Sequence, residues 1–122
     1  MITLLGKYLR KARVDLDLSL RELADQIGIS PAQLSAIETG KRDAKTDVID
    51  KMANAIGISS NKEREYFEQI AIRSNSEVSF KVRDLNEATA NTVTLLARHA
   101  GKLKPETVQK IEQLALEDLE ME

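Results

Sequence analysis

The sequence predicts an all-α protein, and two observations carry this prediction. Apolar residues recur at helical spacing through nearly the whole chain, and serines, prolines and glycines stand where helices would begin and end. The exception is residues 78–82, whose alternating apolar pattern is that of one short strand or of an extended connector. We expect a five-helix domain over residues 1–73 and a C-terminal helical extension over residues 74–122.

The first two predicted helices are short and are followed closely by a third. The first runs from about Thr3 to Asp15, with an apolar stripe along one side. The second opens at Ser19–Glu22, because a serine with a glutamate three residues later is a capping box. Only Gly28 and Ile29 separate the second helix from the third, which is the arrangement of a helix-turn-helix.

The third predicted helix has an unusually smooth outer face. Ser30 caps it, Pro31 suits its first position and Gly40 marks its end. Leu34 and Ile37 fall together when the helix turns by about 100° per residue, and they form its buried stripe. The opposite side carries small residues: Pro31, Ala32, Ser35, Ala36 and Thr39.

Four more helices are expected along the rest of the chain. The fourth covers about residues 46–56, and a further capping box at residues 60–63 opens the fifth. The sixth is predicted from Asp84 to about Gly101, and Pro105 opens the seventh. The apolar stripes of the last two helices need a covering surface. Either the first domain or a second copy of the chain could supply it, and we favour the second copy.

Composition argues against several classes of function. The chain has no cysteine and a single histidine, His99, so neither a metal site nor a Ser-His-Asp triad is expected. No paired carboxylates and no phosphate-binding glycine loop stand out, and we therefore expect neither an enzyme nor a cofactor. Without a long apolar run or a signal-peptide pattern, the sequence predicts a cytoplasmic protein with no membrane partner.

The charge is unevenly distributed along the chain. The net charge is −2, but residues 1–60 hold nine basic and eight acidic residues, whereas residues 61–122 hold nine and twelve. Lys41 and Arg42 directly follow the small-faced third helix. Basic charge is thus concentrated toward the front half and acidic charge toward the back half, and mixed charges of this kind are also what an ordinary solvated surface carries.

Two stretches resemble the Cro and phage-repressor, or Xre-type, helix-turn-helix family. They are LSLRELADQIGISPAQLSAIETGKR at residues 18–42 and VIDKMANAIGIS at residues 48–59. The resemblance implies that the third helix is a recognition helix lying in the major groove of DNA. It also implies a buried ion pair between Arg13 and Glu38 that ties the first helix to the third.

The resemblance further implies two sets of DNA-contacting residues. The base-contacting positions of the recognition helix are Pro31, Ala32, Gln33, Ser35, Ala36 and Thr39. The phosphate-contacting positions are Ser19, Arg21, Lys41, Arg42 and Lys45. Small side chains would let the helix axis approach the base edges, and the cations would neutralise phosphate as the chain leaves the groove.

The sequence also departs from the family pattern. Leu20 stands where the family often has glutamine, and Pro31 and Ala32 replace side chains that elsewhere bind bases through two hydrogen bonds. Gln33 is then the obvious remaining candidate for such a contact. We expect specificity to depend also on DNA shape, or on the first helix and the region of Lys45.

The sequence-based conclusion is a sequence-specific regulator of transcription that binds double-stranded DNA. We expect a homodimer on a two-fold symmetric operator, repressing its own or an adjacent operon. The alternative is an antitoxin-like interaction protein whose acidic back half binds a partner protein, such as a toxin or an anti-repressor. The predicted dimer-interface residues are Phe80, Val82, Leu96, Ile111 and Leu114.

Overall fold

The computed structural model describes residues 1–79 and 81–119, and over these residues it confirms the all-α fold class. Phe80, one of the predicted interface residues, lies outside the described residues. The described helices are α1 (Leu4–Leu16), α2 (Leu20–Ile27), α3 (Pro31–Glu38), α4 (Thr46–Ala55), α5 (Asn61–Arg73), α6 (Glu87–His99), a short 3₁₀ helix (Ala100–Lys102) and α7 (Pro105–Asp118).

The chain divides into two compact units, with the boundary after Val78. The first unit holds α1 to α5 around one apolar core, to which all five helices contribute. Phe67 of α5 is a fully buried member of this core, and the ring of Tyr8 is tilted against it at a centroid distance of 5.2 Å. Buried apolar area of this kind is the main stabilising contribution to a small domain.

Local sequence signals account for most of the helix starts. The side chains of Thr3, Ser19, Ser30 and Ser60 each accept a backbone N–H from the first turn of the helix that follows. The capping box expected at residues 60–63 forms only in part. Ser60 accepts the N–H of Glu63 at 3.1 Å, and no return bond from the Glu63 side chain accompanies it.

The second unit contains α6, the 3₁₀ helix and α7, and none of its described side chains is buried. Helix α6 begins at Glu87, three residues later than the predicted Asp84, because the Asn86 side chain caps it by accepting the N–H of Thr89 at 2.8 Å. Residues 77–79 and 81–82 form neither helix nor strand, which favours the connector over the strand for this segment. Within the described residues, no helix combines the length and the hydropathy needed to cross a membrane.

Candidate nucleic-acid interface

Helices α2 and α3 pack against each other, and side chains at the N-terminus of each helix cap it. Ser19 accepts the N–H of Glu22 at 3.0 Å, and the Glu22 carboxylate accepts the N–H of Ser19 at 3.1 Å. Gly28 ends α2 in the left-handed conformation, with φ of 89°, which glycine adopts without steric penalty. Only three residues, 28–30, therefore separate the end of α2 from the start of α3 at Pro31.

A second capping box opens α3, and it uses one of the predicted base-contacting residues. Ser30 accepts the N–H of Gln33 at 3.1 Å, and Gln33 Oε1 accepts the N–H of Ser30, also at 3.1 Å. The acceptor oxygen of Gln33 is thus engaged within its own helix, and its Nε2 group keeps its donors. The S-x-x-Q pattern was present in the sequence and could have revealed this second box.

Helix α3 presents its small face outward and its apolar stripe inward. Leu34, Ile37 and Glu38 are buried, whereas Ala32 and Ser35 are exposed. The other predicted base-contacting positions, Pro31, Gln33, Ala36 and Thr39, are partly exposed. The Thr39 hydroxyl donates to the carbonyl of Ser35 at 2.9 Å, which folds this side chain back along the helix. The outer face of α3 is therefore shallow enough to lie close to a flat or grooved surface.

Exposed cations lie in sequence on either side of this face. Arg21 follows Ser19 in the first turn of α2, and both are exposed. The backbone N–H groups of Lys41 and Arg42 donate to the carbonyl of Ala36 at 2.9 and 3.2 Å, so both residues are tied to the last turn of α3. Lys45 is exposed and stands directly before α4.

A buried carboxylate fixes α3 against α1. Glu38 is 1% exposed, and its Oε1 lies 3.0 Å from Arg13 Nη2 and 3.2 Å from Arg10 Nε. The Arg13 side chain is 17% exposed and that of Arg10 is 50% exposed. Arg13 is thus the more buried partner of Glu38, and Arg10 contacts the same carboxylate from the solvent side. The sequence did not single out Arg10, although its i,i+3 spacing from Arg13 places both on one face of α1.

The backbone of Glu38 is also held by Thr3, the residue that caps the start of α1. Its carbonyl oxygen accepts both the N–H and the hydroxyl of Thr3, at 3.0 and 3.2 Å. A Cβ atom at Gly6 would overlap that same carbonyl oxygen, so only glycine allows α1 to approach this closely. Together these contacts set the orientation of α3 relative to α1.

Comparison with known proteins assigns this part of the chain to a family. Residues 9–62 match the family model described as helix-turn-helix, which confirms the Xre-type resemblance for the first domain. The match spans less than half of the chain. The matched residues include α2, α3 and the cations described above.

Two curated relatives resemble the same part of the chain. Each is an uncharacterized HTH-type transcriptional regulator, from two strains of Mycobacterium tuberculosis, and is 34% identical over 55 residues. The match covers 45% of this chain and 39% of each relative. No solved structure matches the chain at a significant level.

Proposed function

We propose that this protein is a sequence-specific, double-stranded DNA-binding regulator of transcription. The observation that carries the proposal is the small outer face of α3, with exposed Arg21 before it and exposed Lys41 and Arg42 after it in a helix-turn-helix domain. A recognition helix lies in the major groove with side chains against base edges. Two relatives described as transcriptional regulators support the same role.

The contacts of the proposed complex divide into two kinds. Ala32, Ser35 and Ala36 would let α3 approach the bases, with the Ala36 methyl group against a thymine methyl. Gln33 would act as a donor, because its oxygen already accepts the Ser30 N–H. The exposed groups at Ser19, Arg21, Lys41, Arg42 and Lys45 would contact phosphate, which supplies most of the affinity and makes it sensitive to salt.

We propose that the working form is a homodimer held together by the second unit. None of the described side chains of that unit is buried, and its apolar residues are open to solvent: Leu114 and Ile111 are 64% and 36% exposed, and Leu96 is partly exposed. A unit of about 40 residues rarely stabilises itself without an added partner. A second copy would cover these faces and place two recognition helices for half-sites about 34 Å apart. Val82 would belong to the same surface.

Repression by occupancy of an operator follows from this arrangement. A dimer bound across a promoter would exclude polymerase without any catalytic step, and it would act in the cytoplasm on its own or an adjacent operon. Direct base recognition through two-hydrogen-bond contacts is sparse on α3, and part of the specificity would then come from DNA shape.

The proposal is tested by fluorescence-anisotropy titration of two duplexes, at two salt concentrations. One duplex carries the DNA upstream of the protein's own gene, and the other is its scrambled sequence. Preference for the upstream duplex by about 10³ or more is expected of specific binding. Equal binding to both duplexes would contradict autoregulation. No binding to either would overturn the proposed function and favour the antitoxin-like alternative.

A further inference from the structure

Residues 75–76, which follow α5, are hydrogen-bonded to the loop between α3 and α4. The N–H of Ala44 donates to Asn75 Oδ1 at 2.8 Å, and Asn75 Nδ2 donates to the carbonyl of Ala44 at 2.9 Å. The N–H and the hydroxyl of Ser76 donate to the two carboxylate oxygens of Asp43, at 2.9 and 2.8 Å. We call these four hydrogen bonds between residues 43–44 and 75–76 the loop clasp.

The loop clasp holds the centre of the segment that carries the proposed phosphate contacts. Asp43 and Ala44 lie between Arg42 and Lys45 in the chain, and Ala44 is 3% exposed. The beginning of the same loop is tied to α3 through the N–H groups of Lys41 and Arg42. The loop is thus fixed at its start by the recognition helix and at its centre by the residues that follow α5.

The position of Asp43 is electrostatically costly for a loop that approaches DNA. A carboxylate among Lys41, Arg42 and Lys45 repels phosphate and offsets part of their attraction. The backbone N–H of Ser76, followed by its hydroxyl, holds the pKa of Asp43 below its usual value, so this carboxylate stays ionised. A fully solvated aspartate here would only weaken DNA binding. An aspartate that orders the loop can offset this electrostatic cost.

We propose that Asp43 and Asn75 are positioning residues that hold the loop of residues 41–45 in its phosphate-binding conformation. The inference rests on the proposed function, because it concerns how the same interface binds DNA. Ordering the loop before binding reduces the conformational entropy lost when its cations meet phosphate.

The test uses the full chain, a random-sequence duplex of about 30 base pairs and anisotropy titrations over a range of salt. This duplex suffices because phosphate contacts are independent of sequence. The variants are Asn75→Ala and Asp43→Asn. Asn61→Ala, at an exposed first position of α5, and Asp47→Asn, at an exposed position of α4, are the matched controls.

The two clasp variants are expected to bind the duplex more weakly than the two control variants. Asn75→Ala should weaken binding by about fivefold to tenfold at 0.1 M salt and lower the salt slope by about one, as when one phosphate contact is lost. Asp43→Asn should also weaken binding, although it removes a negative charge. Asp47→Asn removes the same charge without touching the loop clasp and should leave binding unchanged or strengthen it.

A second measurement separates positioning from loss of the fold. Amide hydrogen exchange over residues 41–45 should become faster in Asn75→Ala, while the melting temperature stays within a few degrees of the unaltered protein. If the melting temperature of Asn75→Ala is much lower, Ser76→Ala replaces it as the test variant. Ser76→Ala removes only one hydrogen bond of the loop clasp. Faster exchange in the loop with weaker binding supports the proposal.

Two results would overturn the proposal, and they differ in what else they reject. If the unaltered protein binds the duplex and Asp43→Asn binds as tightly as Asp47→Asn, Asp43 is not a positioning residue and the proposed function stands. If the unaltered protein binds no duplex even at low salt, the proposed function falls and the inference falls with it.

Discussion

At the scale of single residues, Glu38 places a charge inside the core of the first unit. Among the described residues it is the only charged side chain that is buried. Both of its arginine partners come from α1. Arg13 Nε is itself buried without a hydrogen-bond partner within the described residues, so this arginine is held mainly by its Nη2 contact with the carboxylate. A buried pair of this kind is sensitive to the loss of either member, since the other charge is then left unpaired.

The two arginines should therefore differ in their contribution to stability. Arg13→Ala removes the more buried partner and should lower the free energy of unfolding by about 3–5 kcal/mol. Arg10→Ala removes a half-exposed partner, and solvent screening should limit its effect to about 1 kcal/mol or less. Urea unfolding followed by circular dichroism measures both. Equal losses for the two variants would contradict the assigned difference.

Gly6 gives a prediction of purely steric origin. Gly6→Ala should lower the free energy of unfolding by about 1–3 kcal/mol or more, because the added methyl group overlaps the carbonyl oxygen of Glu38 and α1 must move. Gly101→Ala is the matched control, since no neighbouring atom lies within 4 Å of a Cβ there and its backbone needs no positive φ. Thermal unfolding of the two variants should separate them clearly. A Gly6→Ala protein as stable as the control would show that α1 and α3 do not pack this closely.

At the scale of elements, helix starts follow from local sequence, whereas the attachment of α3 to its neighbours does not. Ser19 and Ser30 act on groups within three residues, and the sequence identified both as caps. The Ser30–Gln33 capping box was equally local and was simply not recognised. Such signals depend on backbone geometry within one turn, which the order of residues determines directly.

The contacts missed by sequence reasoning join residues that are far apart in the chain. Arg10 and Glu38 are 28 residues apart, and Ala44 and Asn75 are 31 residues apart. No periodicity links such positions, because only the tertiary packing of separate elements brings them together. The contact between Arg13 and Glu38 came instead from the family resemblance. The long-range contacts that hold α3 in place were therefore not predictable from the order of residues, whereas the small residues on its outer side were.

At the scale of the whole molecule, the two units pose different problems. The first has a complete core, and the second exposes apolar side chains on both of its α-helices. Leu95 and Leu114 are 60% and 64% exposed. Apolar exposure of this extent in a short helical unit is typical of a surface that binds protein. The sequence indicated the apolar stripes but could not indicate which surface covers them.

The dimer proposal is tested at this scale by the mass in solution. Light scattering should give about twice the chain mass of 13.6 kDa for the unaltered protein at micromolar concentration. Leu96→Asp should reduce this to a monomer, because a buried unpaired carboxylate is strongly unfavourable in an apolar interface. Asn91→Asp adds the same charge at an exposed position of α6 and should remain dimeric. A monomeric unaltered protein, or a dimeric Leu96→Asp protein, would contradict the assignment.

The measurement that tests the central claim most directly compares Ala32→Glu with Ala88→Glu in duplex binding. Both alanines are exposed at the second position of their helices, so glutamate at either site interacts favourably with the helix dipole and should not destabilise the fold. On α3 the new carboxylate would face the DNA and should reduce binding of a duplex by tenfold or more, whereas on α6 it should leave binding unchanged. Equal binding by both variants would show that the outer face of α3 is not the DNA-binding surface.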